Sequence, residues 1–124
     1  MTNDRRGQYR FGRRQRLHGR RAFAAVFAAR VRKKIGPICL YAAPNNQNLA
    51  RMGLSTSHRV GSAVQRNRIK RRLREAFRLS QHDWPGNYDF VVVVYRHEPL
   101  AMGEYRRLLM MGVKAVHQQW QQRK

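Results

Sequence analysis

Residues 58–78 constrain the fold of this chain more than any other stretch. From Arg66 to Arg78 the chain carries seven cations (Arg66, Arg68, Lys70, Arg71, Arg72, Arg74 and Arg78) and one acid, Glu75. Wound as a helix at about 100° per residue, Ile69, Leu73, Ala76 and Phe77 fall on one arc wide enough to face a core. The cations and Asn67 fill the rest of the circumference, with Arg66 near the boundary at the N-terminal end. The spacing therefore predicts a helix packed on one side and densely cationic on the other. Like charges at i,i+4, such as Arg66/Lys70 and Lys70/Arg74, disfavour such a helix on its own. A polyanion set against that face would offset the repulsion. The plainer alternative is a solvated face, but solvated faces usually interleave Glu with Lys. This one is nearly all Arg, whose planar fork suits bidentate contact with phosphate.

The rest of the composition narrows the class of partner. The chain has 124 residues, 27 Lys and Arg against 6 Asp and Glu, and a net charge of +21. Such a charge opposes compaction and points first to nucleic acid. Hydrophobic residues make up 42% of the chain, enough for one modest core. The expected organisation is a basic arm over residues 1–15 and one domain over 16–124. The arm holds Arg5, Arg6, Arg10, Arg13 and Arg14 against Asp4 alone, and few apolar residues. It is expected to be mobile when free and to order along an RNA backbone, or else to act only as a solubilising tail. No apolar run reaches transmembrane length, so no membrane partner is expected. The single cysteine, Cys39, can form no disulfide within the chain, which fits a cytoplasmic location.

Taken in order, residues 20–30 read as a short Ala-rich helix with Phe23, Val26 and Phe27 on one face. Each phenyl ring could fill the core or line a groove on which bases stack. Residues 36–43 read as a strand, on which Ile38, Leu40 and Ala42 alternate with Cys39, Tyr41 and Ala43. Residues 51–57 are expected to return beside it as the second strand of a hairpin. Gly53 within that strand suggests close approach of another backbone. Ser62 is the expected N-cap of the basic helix. After a loop over 80–87, residues 88–95 form an apolar run without alternation, the mark of a central strand covered on both faces. Strand, helix and strand together make a crossover unit. A last helix over 103–121 places Tyr105, Leu108, Leu109, Val113, Val116 and Trp120 on one face.

The same sequence is poor in catalytic chemistry. Acid–base or two-metal phosphodiester cleavage needs clustered carboxylates or a poised His. The acids Asp4, Glu75, Asp83, Asp89, Glu98 and Glu104 are scattered, and the five histidines show no zinc-ligand spacing. No Gly-rich phosphate loop or nucleophile motif is present. No catalytic residue and no protein-held metal is expected.

Two stretches carry a family resemblance. Arg51-Met52-Gly53-Leu54-Ser55, followed by the run from His58 through Val60-Gly61-Ser62-Ala63-Val64 and Arg66-Asn67-Arg68 to Glu75, resembles the signature of the bacterial ribonuclease P protein subunit. The likeness extends over Arg16-Leu17, Phe23, Phe27, Tyr41, the strand at 88–95 and the last helix. It implies an α/β fold, an α+β two-layer sandwich like the second domain of ribosomal protein S5, with a left-handed βαβ crossover on a central sheet. It implies a protein cofactor whose partners are a large catalytic RNA and precursor tRNA, with no stable protein partner required. The RNA would hold the Mg²⁺ ions and cut precursor tRNA to leave the mature 5′ end. By position, Phe23, Phe27, Tyr41 and Arg59 match a cleft for the 5′ leader. Arg66, Asn67, Arg68, Lys70, Arg71 and Arg74 match the helix that meets the RNA subunit. His58 departs from the pattern, where Lys is more usual. Two other readings share the charge: a structural ribosomal RNA-binding protein and a duplex-DNA binder with its basic helix in the major groove.

Overall fold

The computed structural model describes residues 13–123. All but residues 13–15 of the expected arm therefore lie outside the described residues. After a short 3-10 turn, Arg13–Gln15, helix α1 spans Arg20–Ala28. Strands β1 (Arg32–Ile35), β2 (Ile38–Pro44) and β3 (Arg51–Thr56) follow. Then come helix α2 (Ala63–Ser80), strand β4 (Tyr88–Val94) and helix α3 (Met102–Gln122).

The four strands form one sheet in the order β1-β2-β4-β3. Strand β4 pairs antiparallel with β2, matching Tyr41 to Val91, and parallel with β3, matching Gly53 to Val91. The β3–α2–β4 crossover is present as the sequence predicts. The β2–β3 hairpin is not. β4 separates the two strands, because a strand apolar on both faces is stabilised most in the middle of the sheet. The real hairpin joins β1 to β2, with Ile35 opposite Ile38 and Gly36 at φ 56 opening the two-residue turn. Sequence reasoning missed β1, and began β2 two residues early within that turn. Arg32-Lys33-Lys34 shows no apolar alternation, because all three residues are exposed on an edge strand. Cations on an edge also discourage pairing with another chain.

Register sorts the sheet into two faces. Ile38, Leu40, Ala42, Met52, Phe90, Val92 and Val94 are buried in the larger core with α2 and α3. From α2 come Ile69, Leu73, Ala76 and Phe77, the predicted arc. From α3 come Tyr105, Leu108, Leu109, Val113 and Val116. Trp120, on the same face, is partly buried and donates from its indole nitrogen to the Ala42 carbonyl at 3.0 Å. The opposite face carries a small second core of Leu17, Val26 and Val91, with Phe23, Phe27, Tyr41, Ala43 and Val93 packed around it.

Local sequence explains the ends of α2. The Ser62 hydroxyl accepts from the Gln65 amide at 3.2 Å, and the Gln65 side chain accepts from the Ser62 amide at 3.0 Å. This reciprocal capping box satisfies two otherwise orphaned donors. The expected loop over 80–87 conceals a buried residue, Trp84. Its ring packs edge-on against Phe77 and Phe90, and its indole N–H donates to the Ser80 hydroxyl at 3.1 Å.

Gly112 lets α3 approach the hairpin. A Cβ there would lie 2.7 Å from Ile35 Cδ1 and 3.1 Å from Leu40 Cδ2. Gly112→Val should therefore destabilise the protein by about 1–3 kcal/mol through overpacking. A lower urea midpoint at unchanged slope would confirm it, and an unchanged midpoint would refute it.

Candidate nucleic-acid interface

Two surfaces gather the residues singled out in the sequence. The first is the partly open face of the sheet. Helix α1 crosses one end of it and brings Phe27 edge-on to Tyr41, with ring centroids 4.9 Å apart. Phe23 lies 6.4 Å from Phe27, also edge-on. The Phe23 ring rests on Gly53: a Cβ at that position would lie 2.5 Å from Phe23 Cζ and 2.8 Å from the Leu17 carbonyl oxygen. The predicted close approach to Gly53 is thus made by a side chain as well as by backbone. Residue 16 extends the β3 edge through a parallel bridge to Met52, and the Leu17 amide donates to the Met52 carbonyl at 3.0 Å.

Phe23, Phe27 and Tyr41 are each half-buried, so the choice between core and groove resolves into both. Each ring has one side packed and part of its surface facing solvent. Phe23 lines two adjoining recesses. One, of about 600 Å³, includes Arg16, His18, Leu54 and Arg74. The other includes Arg20 and Phe27. Arg59 sits elsewhere, in a separate hollow further along the sheet with Ser55, Ser57, Val93, Tyr95 and Arg96. The structure therefore groups the three aromatics and places Arg59 apart from them.

Strand β1 adds residues that sequence reasoning did not reach. Arg32 pairs with Tyr41 and Lys34 with Cys39, so both cations project on the aromatic face. The Arg32 guanidinium donates to the Tyr41 hydroxyl at 3.3 Å, and that contact holds the Arg32 pKa above its usual value. The only sequence signal for this arrangement was the i, i+2 spacing of two cations before a turn.

The second surface is the outer face of α2. Asn67, Arg71 and Arg74 line one recess together with Arg16, Glu75 and Arg78. At about 100° per residue, Asn67, Arg71, Arg74 and Arg78 form one stripe, with Lys70 flanking it next to Arg74 and Arg68 on the far flank. Some of the helix's cations are used internally. Arg66 donates to the Gly61 carbonyl at 2.8 Å and Arg72 to the Leu100 carbonyl at 2.7 Å. Arg78 pairs with Glu75 and holds that carboxyl below its usual pKa. Burial lowers the Arg74 pKa, and nearby Arg16 lowers it further. Positive charge is thus crowded where Arg16 and Arg74 converge. Arg74 and Arg16 line the Phe23 recess as well, so the two surfaces meet there.

Three of the described acids, Glu75, Asp89 and Glu104, are each paired with an arginine. Asp89 accepts both arms of Arg51 at 2.7 Å and the Asn45 amide at 2.6 Å. Glu104 pairs with Arg107 at 3.0 Å. Among the described residues no three His, Cys, Asp or Glu side chains gather in a way that would hold a metal ion. No described helix is long and apolar enough to cross a membrane.

The architecture is a mixed sheet, basic on its aromatic face and flanked by an Arg-rich helix. Comparison with known proteins specifies it further. The family model described as Ribonuclease P matches residues 11–118, and the chain belongs to that family. The ribonuclease P protein of Staphylococcus aureus superposes with a TM-score of 0.71 at 22% identity, covering 81% of this chain and 93% of that one. The protein from Thermotoga maritima gives 0.70 at 26% identity, covering 77% and 92%. The mixed α/β fold is thus shared with solved ribonuclease P proteins. Membership gives the chain a role in ribonuclease P and in tRNA processing, and implies association with the ribonuclease P RNA. It selects that role over the ribosomal and duplex-DNA readings.

Cys39 lies on the floor of the aromatic face and is 3% exposed. Burial pushes its thiol pKa up, so less of it is thiolate at any given pH. Iodoacetamide at pH 8 should label it far more slowly in the native protein than in urea. Equal rates would contradict this packing.

Proposed function

We propose that this chain is the protein cofactor of a ribozyme. The outer face of α2 binds the catalytic RNA, and the aromatic face of the sheet binds the 5′ leader of precursor tRNA. The observation that carries the reading is the division of the cations between two adjoining surfaces. One is an Arg stripe without aromatics. The other is a row of half-exposed rings bordered by Arg32, Lys34 and Arg20.

The chemistry suits these two ligands. A folded RNA presents closely spaced phosphates, and Asn67, Arg68, Lys70, Arg71 and Arg74 offer donors along one helix face. Neutralising phosphates releases counterions and makes binding strongly salt-dependent. An anion between Arg16 and Arg74 would also relieve their mutual repulsion. A leader is single-stranded, and its bases can stack on Phe23, Phe27 and Tyr41 while its backbone follows the flanking cations. In the second hollow, Arg59 would meet phosphate rather than base.

Bond breaking belongs to the RNA in this reading, because Glu75, Asp89 and Glu104 are held by arginines and no described carboxylates converge. The Mg²⁺ of the reaction would be held mainly by RNA. The protein raises the local density of positive charge, which offsets phosphate repulsion in place of Mg²⁺ and lets the assembled particle hold substrate at low Mg²⁺ concentration.

Reconstitution tests the division of labour. The protein alone should leave precursor tRNA intact, and protein with its RNA should outperform the RNA alone at low Mg²⁺. Cleavage with turnover by purified, RNA-free protein would overturn it. Variants test the two surfaces separately. Arg68→Ala and Arg71→Ala should each weaken binding to the RNA subunit and lower the salt slope by about one unit. Tyr41→Ala should instead reduce the preference for precursor over mature tRNA, at a cost of about 1–3 kcal/mol for one lost stacking contact. An unchanged preference would remove Tyr41 from the leader site.

A further inference from the structure

The aromatic face of the sheet continues beyond Tyr41 to a second exposed ring. Tyr95 follows the last residue of β4, and its amide donates to the Pro37 carbonyl at 2.8 Å, which fixes its backbone to the β1–β2 turn. The ring is 43% exposed, one of the few large apolar surfaces left open among the described residues. Lys34 Nζ lies 5.0 Å from its centroid. Lys34 projects on the same sheet face as Arg32 and Tyr41, because Lys34 pairs with Cys39 and Cys39 with Val93. Tyr95 also lines the hollow that holds Ser55, Ser57, Arg59, Val93 and Arg96.

We infer that Tyr95 is a second base-stacking platform on this face, taking a leader nucleotide farther from the cleavage site or nearer to it than the one at Tyr41. The proposal rests on the leader reading above and extends it. Tyr41 stands opposite Val91, and Tyr95 comes four positions later, roughly 13 Å along the strand direction at about 3.3 Å per residue. That gap exceeds the ~3.4 Å rise of one stacked nucleotide. The two rings would therefore hold different nucleotides of one strand, not two faces of the same base.

The surroundings fit such a ligand. Lys34 covers part of the ring and supplies one cation, while Arg59 and Arg96 supply two more on the side of the hollow. Ser55 and Ser57 line the same hollow, and their hydroxyls can donate to a sugar or phosphate oxygen. No acid lines it. An open ring bordered by cations and hydroxyls fits a single-stranded polyanion with π-faces. It also gives Arg59 a role that its distance from Phe23 and Phe27 would otherwise deny it.

The test uses the particle assembled with its catalytic RNA, and precursor tRNAs whose leaders are lengthened one nucleotide at a time. Affinity is measured for wild type, Tyr95→Phe, Tyr95→Leu and Tyr41→Ala. Wild-type affinity should rise in two steps with leader length. Tyr95→Leu should lose one step, about tenfold, and keep the other, while Tyr95→Phe keeps both. Tyr41→Ala should lose the step that Tyr95→Leu keeps. If Tyr95→Leu retains both steps while Tyr41→Ala loses one, Tyr95 is only a support for Lys34, and the inference falls with the leader reading intact. If no variant and no leader length changes affinity, the leader reading itself falls. Far-ultraviolet circular dichroism and the urea midpoint of Tyr95→Leu separate a lost platform from a lost fold. Should that variant unfold, Lys34→Gln and Arg96→Gln must weaken the same step, and failure of both to do so overturns the inference.

Discussion

Strand β4 is apolar on both faces, and the molecule is arranged around that constraint. Phe90, Val92 and Val94 on one face and Val91 on the other are all buried. Two long helices, of 18 and 21 residues, cover the first face. A single helix of nine residues covers part of the second. The shortfall leaves Tyr41 and Val93 half-covered and Tyr95 open, with the cations of β1 alongside. A groove with apolar rings and a basic border is thus a consequence of unequal coverage of one sheet. It needs no dedicated loop.

The same constraint explains why the α2 cations face outward. Ile69, Leu73, Ala76 and Phe77 are committed to the larger core, each at 0% exposure. The opposite side of α2 faces away from that core, with Asn67, Arg68, Arg71 and Arg74 exposed and Arg16 beside them. Arg78, paired with Glu75, removes one cation from that row, and Arg66 and Arg72 brace the backbone at Gly61 and Leu100. Asn67, Arg68, Lys70, Arg71 and Arg74 are not used in this way, and Arg66 and Arg72 keep their charge and further N–H donors. Arg16 and Arg74 line the recesses of both the stripe and the sheet groove, so the two surfaces are continuous.

Much of this was legible in the sequence where a residue's neighbours lie on its own element. The arc on α2, the Ser62 cap, the central character of β4 and the facing of α3 all follow from local periodicity. What the sequence hid depends on partners far along the chain. The pairing of β2 was assigned to β3 because they are adjacent in sequence, whereas burial places β4 between them. The strand at Arg32–Ile35 was invisible because an exposed edge strand carries no apolar pattern. With it went Arg32 and Lys34, whose place beside the aromatic rings exists only once β1 pairs with β2. Trp84 was hidden in a segment rich in turn residues, although its ring closes the core between Phe77 and Phe90. Among the site residues, Phe23, Phe27 and Tyr41 do gather, whereas Arg59 lies in a different hollow of the same face.

The central claim is that the leader lies on the sheet while the catalytic RNA meets the helix. Photo-crosslinking from bases of a precursor tRNA leader in the assembled particle, followed by peptide mapping, tests it most directly. The attached residues should fall on α1, β2 and the end of β4, at Phe23, Phe27, Tyr41 or Tyr95. Attachment confined to α2, between Arg66 and Arg78, would contradict the assignment of the two surfaces.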